Sequence, residues 1–425
     1  MPERSRSPTP PHHPIHGVSL PEAHIEKIAE IVFPGREAIN IRQLESGKSF
    51  NNRIYYLDFP GELQNNLGCV LKVNGRFFGA DKIQNEVSCL NILGQYCPDI
   101  PSPSVVAWSE DGTTVAIPGH PPVRLDEDVA PSSPGWILMT RVPGSPVSDL
   151  QLNDDDMTSI CEQLADMVAQ WRLRIPPQTY CGNLTFHSGP SESADIRLDI
   201  DPENSHGSHT LAVRGLVDGA IRLSEPIASE VQLHRIRLEA KLCELNTDET
   251  YSPNRRLAPE ICEFIEKTLP RLFHGAPSSS SSSFVFTSYD LAPRNVLVVR
   301  TDRNAPPKIS GIIDFEFAGF FPEKEEFMEA YVAGRSDWGE PGYSSFLKRL
   351  QQLGVDTPPI PGEGSGSVQS WTRERLLSTM IDNIAPWWLP GPYEGEELAI
   401  KLAECLRGVE TAMRLLKERV PDEMS

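Results

Sequence analysis

Three polar residues, Asp290, Asn295 and Asp314, punctuate two short apolar runs. The runs Val296–Val299 and Ile309–Ile313 have the length and branched side chains of buried strands, once Ser310 and Gly311 are tolerated. The connection Arg300–Lys308 is polar and carries Pro306-Pro307, which suits a hairpin. Folding that hairpin brings Asn295, at the start of one strand, beside Asp314, at the end of the other. Asp290 sits on the loop just before. Two carboxylates and an amide oxygen then converge at one end of a small ribbon. Mg2+ wants oxygen ligands and usually takes only one or two from protein, with phosphates and water supplying the rest. Asn295 and Asp314 fit that need, and Asp290 is placed to orient a hydroxyl and accept its proton. This is the chemistry of phosphoryl transfer.

A cation for the phosphates must stand on a rigid element. Gly68–Val73 reads as a strand carrying Lys72. Asp81 then reads as the N-cap of a helix whose Ile83, Val87, Leu90 and Leu93 share one face. Glu86 lies at the margin of that face. A helix packed on the sheet would let Glu86 reach inward and hold Lys72.

The spacing Asp-x-x-x-x-Asn is that of the protein-kinase catalytic loop. With Asp290-Leu291, Asn295-Val296-Leu297-Val298 and Ile313-Asp314-Phe315-Glu316-Phe317-Ala318-Gly319, the chain resembles the aminoglycoside phosphotransferase/choline kinase family. The resemblance implies an α+β, bilobal protein-kinase-like fold, with a small antiparallel β lobe holding one key helix and a larger, mostly helical lobe. It implies ATP as donor, with GTP possible, and Mg2+. It also places adenine against backbone near Met139–Arg141, and the acceptor pocket in the helical lobe, where the aromatic loop Trp387–Tyr393 could line it. One departure stands out: the family usually has His-Gly before the catalytic Asp, and this chain has Ser288-Tyr289.

The elements that must position these residues follow in order. Pro21–Val32 reads as a helix closed by Pro34-Gly35. Gly47-Lys48-Ser49 invites a P-loop, but the pattern needs Gly where Arg42 stands, and the stretch runs into a strand, Arg53–Phe59. It reads instead as a hairpin whose amides lie over phosphates. Pro101–Ala107 and Thr113–Ile117 read as edge strands, Pro118–Pro134 as a Pro-rich insert, and Gly135–Arg141 as a buried strand. Helices are expected over Asn153–Ile175, Leu223–Leu245, Ala258–Phe273, Glu323–Val332, Gly342–Leu353, Trp371–Ile384 and Glu394–Arg419, with Cys181–Thr210 as loop. The domains expected are a disordered tail (1–19), a nucleotide-binding lobe (20–140) and a helical lobe (141–425). The last contains the catalytic hairpin 285–319 and a flexible Ser-rich loop, 276–283.

Composition narrows the class. A chain of 425 residues with 23% charged side chains is that of a globular protein. No apolar run is long enough to span a membrane, and Met1–His16 lacks the apolar core of a secretory signal. The eight cysteines stand singly, without Cys-x-x-Cys, as reduced thiols would. A cytoplasmic protein is expected. A formal charge of −20 and the lack of any Lys/Arg stripe speak against nucleic acid and lean toward a cationic small-molecule acceptor. The oligomeric state is unknown. The reading is a small-molecule kinase phosphorylating a hydroxyl. Its alternative is a kinase-like module that binds nucleotide or protein with weak or no turnover. A hydrolase lacks a nucleophile elbow or His-metal pattern, and a protein kinase lacks Ala-Pro-Glu after Asp314.

Overall fold

The apolar and branched residues of Asn52–Asp58, Cys69–Asn74 and Trp136–Thr140 are those that pack on a pleated surface, and these segments form the middle of one sheet. The computed structural model describes residues 13–36, 39–45, 47–59, 68–125, 134–187, 210–213, 215–218, 221–222, 227–273, 283–302, 305–333, 336–360 and 368–420. After α1 (Glu22–Val32) come β1 (Asn40–Gln43), β2 (Asn52–Asp58), β3 (Cys69–Asn74), α2 (Ala80–Tyr96), β4 (Val105–Ser109) and a short ribbon of β5 (Thr114–Val115) with β6 (Val123–Arg124). With β7 (Trp136–Thr140) the sheet runs β1-β2-β3-β7-β4, every pair antiparallel. Lys72 therefore stands on an inner strand, opposite Ile54 on one side and Ile137 on the other.

The stripe on α2 packs as its spacing requires, with Ile83, Val87, Leu90 and Leu93 buried. Its cap differs from expectation. Gly79 takes the N-cap position and Asp81 sits inside the first turn, where its charge meets the positive helix end. The segment 13–19, expected within a disordered tail, packs on the small sheet with Leu20: Ile15, Val18 and Leu20 are buried. Arg53 donates to the carbonyls of Ile15 and Val18, both at 3.1 Å. Residues 1–12 lie outside the described residues.

Beyond β7 the chain is mainly helical. α3 (Asp154–Arg174) is capped by Asn153, whose side chain accepts from the Asp156 amide. α4 (Glu230–Thr247), α5 (Ala258–Glu263), α6 (Leu269–Leu272), α7 (Met328–Ala333), α8 (Gly342–Gln352), α9 (Val368–Ile384) and α10 (Gly395–Lys417) follow. Between α5 and α6 one wide turn, Phe264–Thr268, keeps the expected helix nearly continuous. Small strands thread this part: β8 (Ser145–Pro146), β9 (Leu184–His187), β10 (Thr210–Val213), β11 (Val217–Asp218), β12 (Ile221–Arg222), β13 (Val285–Thr287), β14 (Val296–Val299), β15 (Lys308–Ile312) and β16 (Gly319–Phe321). β9 pairs with β10 and β11 with β12; β9 lies in the stretch read from sequence as loop, and residues 211–222 carry no expected element. Of the Ser-rich loop 276–283 only Ser283 is described.

The hairpin expected from Val296 onward forms. β14 pairs antiparallel with β15, Val296 opposite Ile312, and β8 adds a third strand. Gly311 interrupts the apolar run for a steric reason: a Cβ there would lie 2.3 Å from Val142 Cγ1. β13 and β16 pair beside it, Thr287 opposite Gly319, so the chain enters and leaves the site along one ribbon. No helix among the described residues is long and apolar enough to cross a membrane.

Candidate active site

The residues expected to act together do meet. Lys72 Nζ lies 2.7 and 2.8 Å from the two Glu86 oxygens and 2.5 Å from Asp314 Oδ1. Lys72 and Glu86 are buried; Asp314 is 30% exposed. Burial works against the Lys72 charge, but Asp314, Glu316 and Glu86 together outweigh it and hold the ammonium well above its ordinary value. Burial, with the charge of Glu316, pushes Asp314 up to about 7 despite Lys72.

The ribbon sets Asn295 against Asp314. The Ile313 amide donates to the Asn295 carbonyl at 2.9 Å, which locks the two strand ends together. Asn295 Nδ2 in turn donates to the Asp290 carbonyl and to Asp290 Oδ2, both at 3.0 Å. One side chain thereby ties the expected base to the expected metal ligand. Arg294 Nη2 also reaches both Asp290 oxygens, at 2.6 and 2.8 Å. The Asp290 side chain is 22% exposed and that of Arg294 55%, so this pair faces the open side.

Sequence reading missed the hub beneath. Glu316 is 2% exposed and accepts from Asn51 at 2.8 Å and Asn52 at 2.6 Å, with Lys72 at 2.8 Å and Lys82 at 2.9 Å. Burial opposes its charge, but Lys72 and Lys82 hold its carboxyl well below the ordinary range. Lys82, also buried, is pulled below its usual value by desolvation despite Glu316. Asn85 donates to the carbonyls of Glu316 and Ala318 at 2.9 and 3.0 Å. The hub thus joins the loop before β2, the strand β3, the helix α2 and the segment after β15. Its one sequence signal was Glu316 itself, an acid inside an apolar run.

These donors fit a hard divalent cation. Ligand atoms of Glu86, Asp314 and Glu316 lie within 4.8 Å of one another, with Lys72 in contact with all three, and Asp314 is the one of them open to solvent.

Met139 and Arg141, expected beside adenine, lie on β7 and just after it. Met139 is buried within the sheet. The Arg141 amide donates to the Gly68 carbonyl at 3.1 Å, so it is already engaged, and its side chain pairs with Asp58 at 3.1 Å. The Gly47 turn leads into β2 as expected, and Lys48 crosses to Asp149 at 2.9 Å. Phe50 in the same turn meets Trp387 of the aromatic loop, ring centroids 6.1 Å apart, and Trp387 is 71% exposed.

The family model for the phosphotransferase enzyme family matches residues 70–360. Among solved structures, the gentamicin–APH(2″)-IIa complex is similar at 15% identity and a TM-score of 0.51, over 93% of this chain and 99% of that one. Macrolide 2′-phosphotransferase MphH from Brachybacterium faecium has 15% identity and a TM-score of 0.42, over 95% of this chain and 100% of that one. A Plasmodium vivax ethanolamine kinase has 11% identity and a TM-score of 0.42, over 91% and 84%. No curated protein matches in sequence. The fold is the α+β, kinase-like one that the motifs implied.

Proposed function

The chain belongs to the phosphotransferase enzyme family, and from that premise we propose that it moves the γ-phosphoryl group of ATP onto a hydroxyl of a small molecule. The observation that carries this reading is the meeting of Lys72, Glu86 and Asp314 within 2.8 Å contacts, with Asp290 tied to the same end of the hairpin through Asn295.

Lys72, fixed by Glu86, presents its ammonium to the phosphates. Asp290 orients the acceptor hydroxyl and takes its proton as the new O–P bond forms. The bond from the γ-phosphorus to the β–γ bridging oxygen breaks, and ADP leaves. Asp314 and Asn295 would hold Mg2+, which when bound neutralises phosphate charge. The rest is positioning by this chain's own residues. Residues 20–140 serve as the nucleotide lobe and 141–425 as the acceptor lobe, with Met139–Arg141 bordering the adenine. ATP and Mg2+ are what the family implies, and nothing among the described residues speaks for GTP. A formal charge of −20 supports a cationic acceptor.

The test is thermal stabilisation of the full chain by millimolar ATP, with and without Mg2+, for wild type and Asp314→Ala. Ligand that binds only the folded state raises the melting temperature by mass action. A shift that needs Mg2+ and disappears in Asp314→Ala is expected. Absence of any shift in wild type would leave the chain a kinase-like binding module without this nucleotide site.

A further inference from the structure

Among the described residues only two non-glycine residues have positive φ, and both belong to the site: Asp314 at 70° and Tyr289 at 71°. A bulky side chain in the left-handed region persists only where its surroundings over-determine it. Glycine, which the family pattern puts at this position, takes that φ freely. The surroundings of Tyr289 supply the reason it is held. The amide of Ser288, next to it, donates to the Glu326 carboxylate at 3.2 Å. Glu326 is fully buried and is paired with Arg172 at 3.4 Å. The Tyr289 hydroxyl accepts from Arg237 Nη2 at 3.0 Å, and Arg237 Nη1 donates to Glu325 at 2.9 Å. The phenol ring lies 5.1 Å from that of Phe321, centroid to centroid. Arg237 and Glu325 side chains are each 8% exposed, so the clasp is enclosed.

We propose that Tyr289 and Arg237 are a positioning pair: they clamp the residue before Asp290 in its left-handed conformation and thereby aim the base. Neighbouring acids on one 3-10 turn hold the two sides of this clasp: Glu325 accepts from Arg237, and Glu326 accepts from the Ser288 amide next to Tyr289. Trp338 Nε1 holds the other side of Asp290 through the Leu291 carbonyl at 2.9 Å. The direction of Asp290 is therefore set from both flanks. The Tyr289 flank ties the loop to α4, one of the helices of the acceptor lobe. The inference rests on the reading of Asp290 as base.

The experiment compares full-length wild type, Tyr289→Phe, Tyr289→Gly, Arg237→Met, the Tyr289→Phe/Arg237→Met double variant and Asp290→Asn. The probe is Mg·ATP with water as acceptor, and the readouts are kcat and KM for ATP, melting temperature, and hydrogen exchange of the amides at 290–292. Tyr289→Gly takes the native φ without strain, so it is expected to fold; its kcat should fall about 100-fold with KM within about twofold. Tyr289→Phe and Arg237→Met should lose about tenfold each, and the double variant no more than either alone. Exchange at 290–292 should quicken in every Tyr289 and Arg237 variant. Wild-type kcat in Tyr289→Gly, beside an inactive Asp290→Asn, would overturn the pair's role. If wild type does not turn over, or Asp290→Asn matches it, the base assignment fails by itself. Exchange then decides the clamp: faster exchange in Tyr289→Gly supports it, and unchanged protection ends it.

Discussion

Both carboxylate oxygens of Glu86 lie within 2.8 Å of Lys72 Nζ, across 14 residues of sequence. The pair is buried, so α2 holds the ammonium in place; under the proposed function it faces the phosphates. If Glu86 acts through Lys72, its loss cannot cost more than the loss of Lys72. Lys72→Met is expected to lower kcat/KM for ATP by about 100- to 1,000-fold, and Glu86→Gln by about 10- to 100-fold. Steady-state kinetics on the two variants checks the order. A larger loss for Glu86→Gln would contradict the relay.

Among the described residues Asp290 hydrogen-bonds Arg294 and Asn295 and not Lys72, Glu86 or Asp314. Chemistry and nucleotide binding should therefore separate. Asp290→Asn is expected to cut phosphoryl transfer by about 100- to 10,000-fold while keeping the Mg·ATP-dependent rise in melting temperature. A variant that loses both together would place Asp290 in nucleotide binding instead.

Glu316 and Lys82 form a buried ion pair at 2.9 Å, with Lys82 also donating to Asn52 at 2.7 Å and lying over the Phe78 ring at 4.1 Å. Removing Glu316 leaves Lys82 buried without its ion-pair partner, which costs about 3–5 kcal/mol, whereas Lys82→Met leaves Glu316 still paired with Lys72 at 2.8 Å. Urea unfolding of Glu316→Gln should show a loss of that order and Lys82→Met a smaller one, and the double variant should lose clearly less than their sum. Additive losses would mean that the two charges do not depend on each other.

How much of this was legible in the sequence depends on what sets each position. Lys72, Glu86, Asp290, Asn295 and Asp314 each border an apolar run, so strand and helix periodicity placed them; the structure puts Lys72, Glu86 and Asp314 in contact and ties Asp290 to Asn295. Lys82 could not be read, because a lysine in the first turns of a helix is ordinarily solvated. It is buried by Asn52, 30 residues away, a relation no local pattern carries. The left-handed Tyr289 was hidden for a similar reason: its φ is imposed by Arg237 and Glu326, from α4 and a later 3-10 turn. β9 and β10 escaped because the residues between them separate two short pairing segments, each below the length at which alternation is readable. The tail ran the other way. Pro- and His-rich composition suggested disorder up to residue 19, yet Ile15, Val18 and Leu20 supply enough apolar surface to dock.

A pH dependence of stability follows from the large helical part. Glu374 on α9 accepts from His234 Nε2 at 2.9 Å and from Arg373 Nη2 at 2.6 Å, and it is 6% exposed. Burial favours its neutral form, but the His234 hydrogen bond and charge, with Arg373, outweigh that and hold the carboxyl at about 2. The value is depressed in the folded state, so the stabilisation is complete above the ordinary value of 4.5 and is lost as pH falls from there through about 2. Between these limits the unfolded chain binds a proton that the folded chain does not. Glu374→Gln keeps the shape and removes the titration. Urea unfolding of wild type and variant between pH 6 and pH 3 should give curves that converge as pH falls, at up to about 1.4 kcal/mol per pH unit below pH 4. Parallel curves across that range would mean that Glu374 carries no more charge-dependent stability in the fold than it does in the unfolded chain.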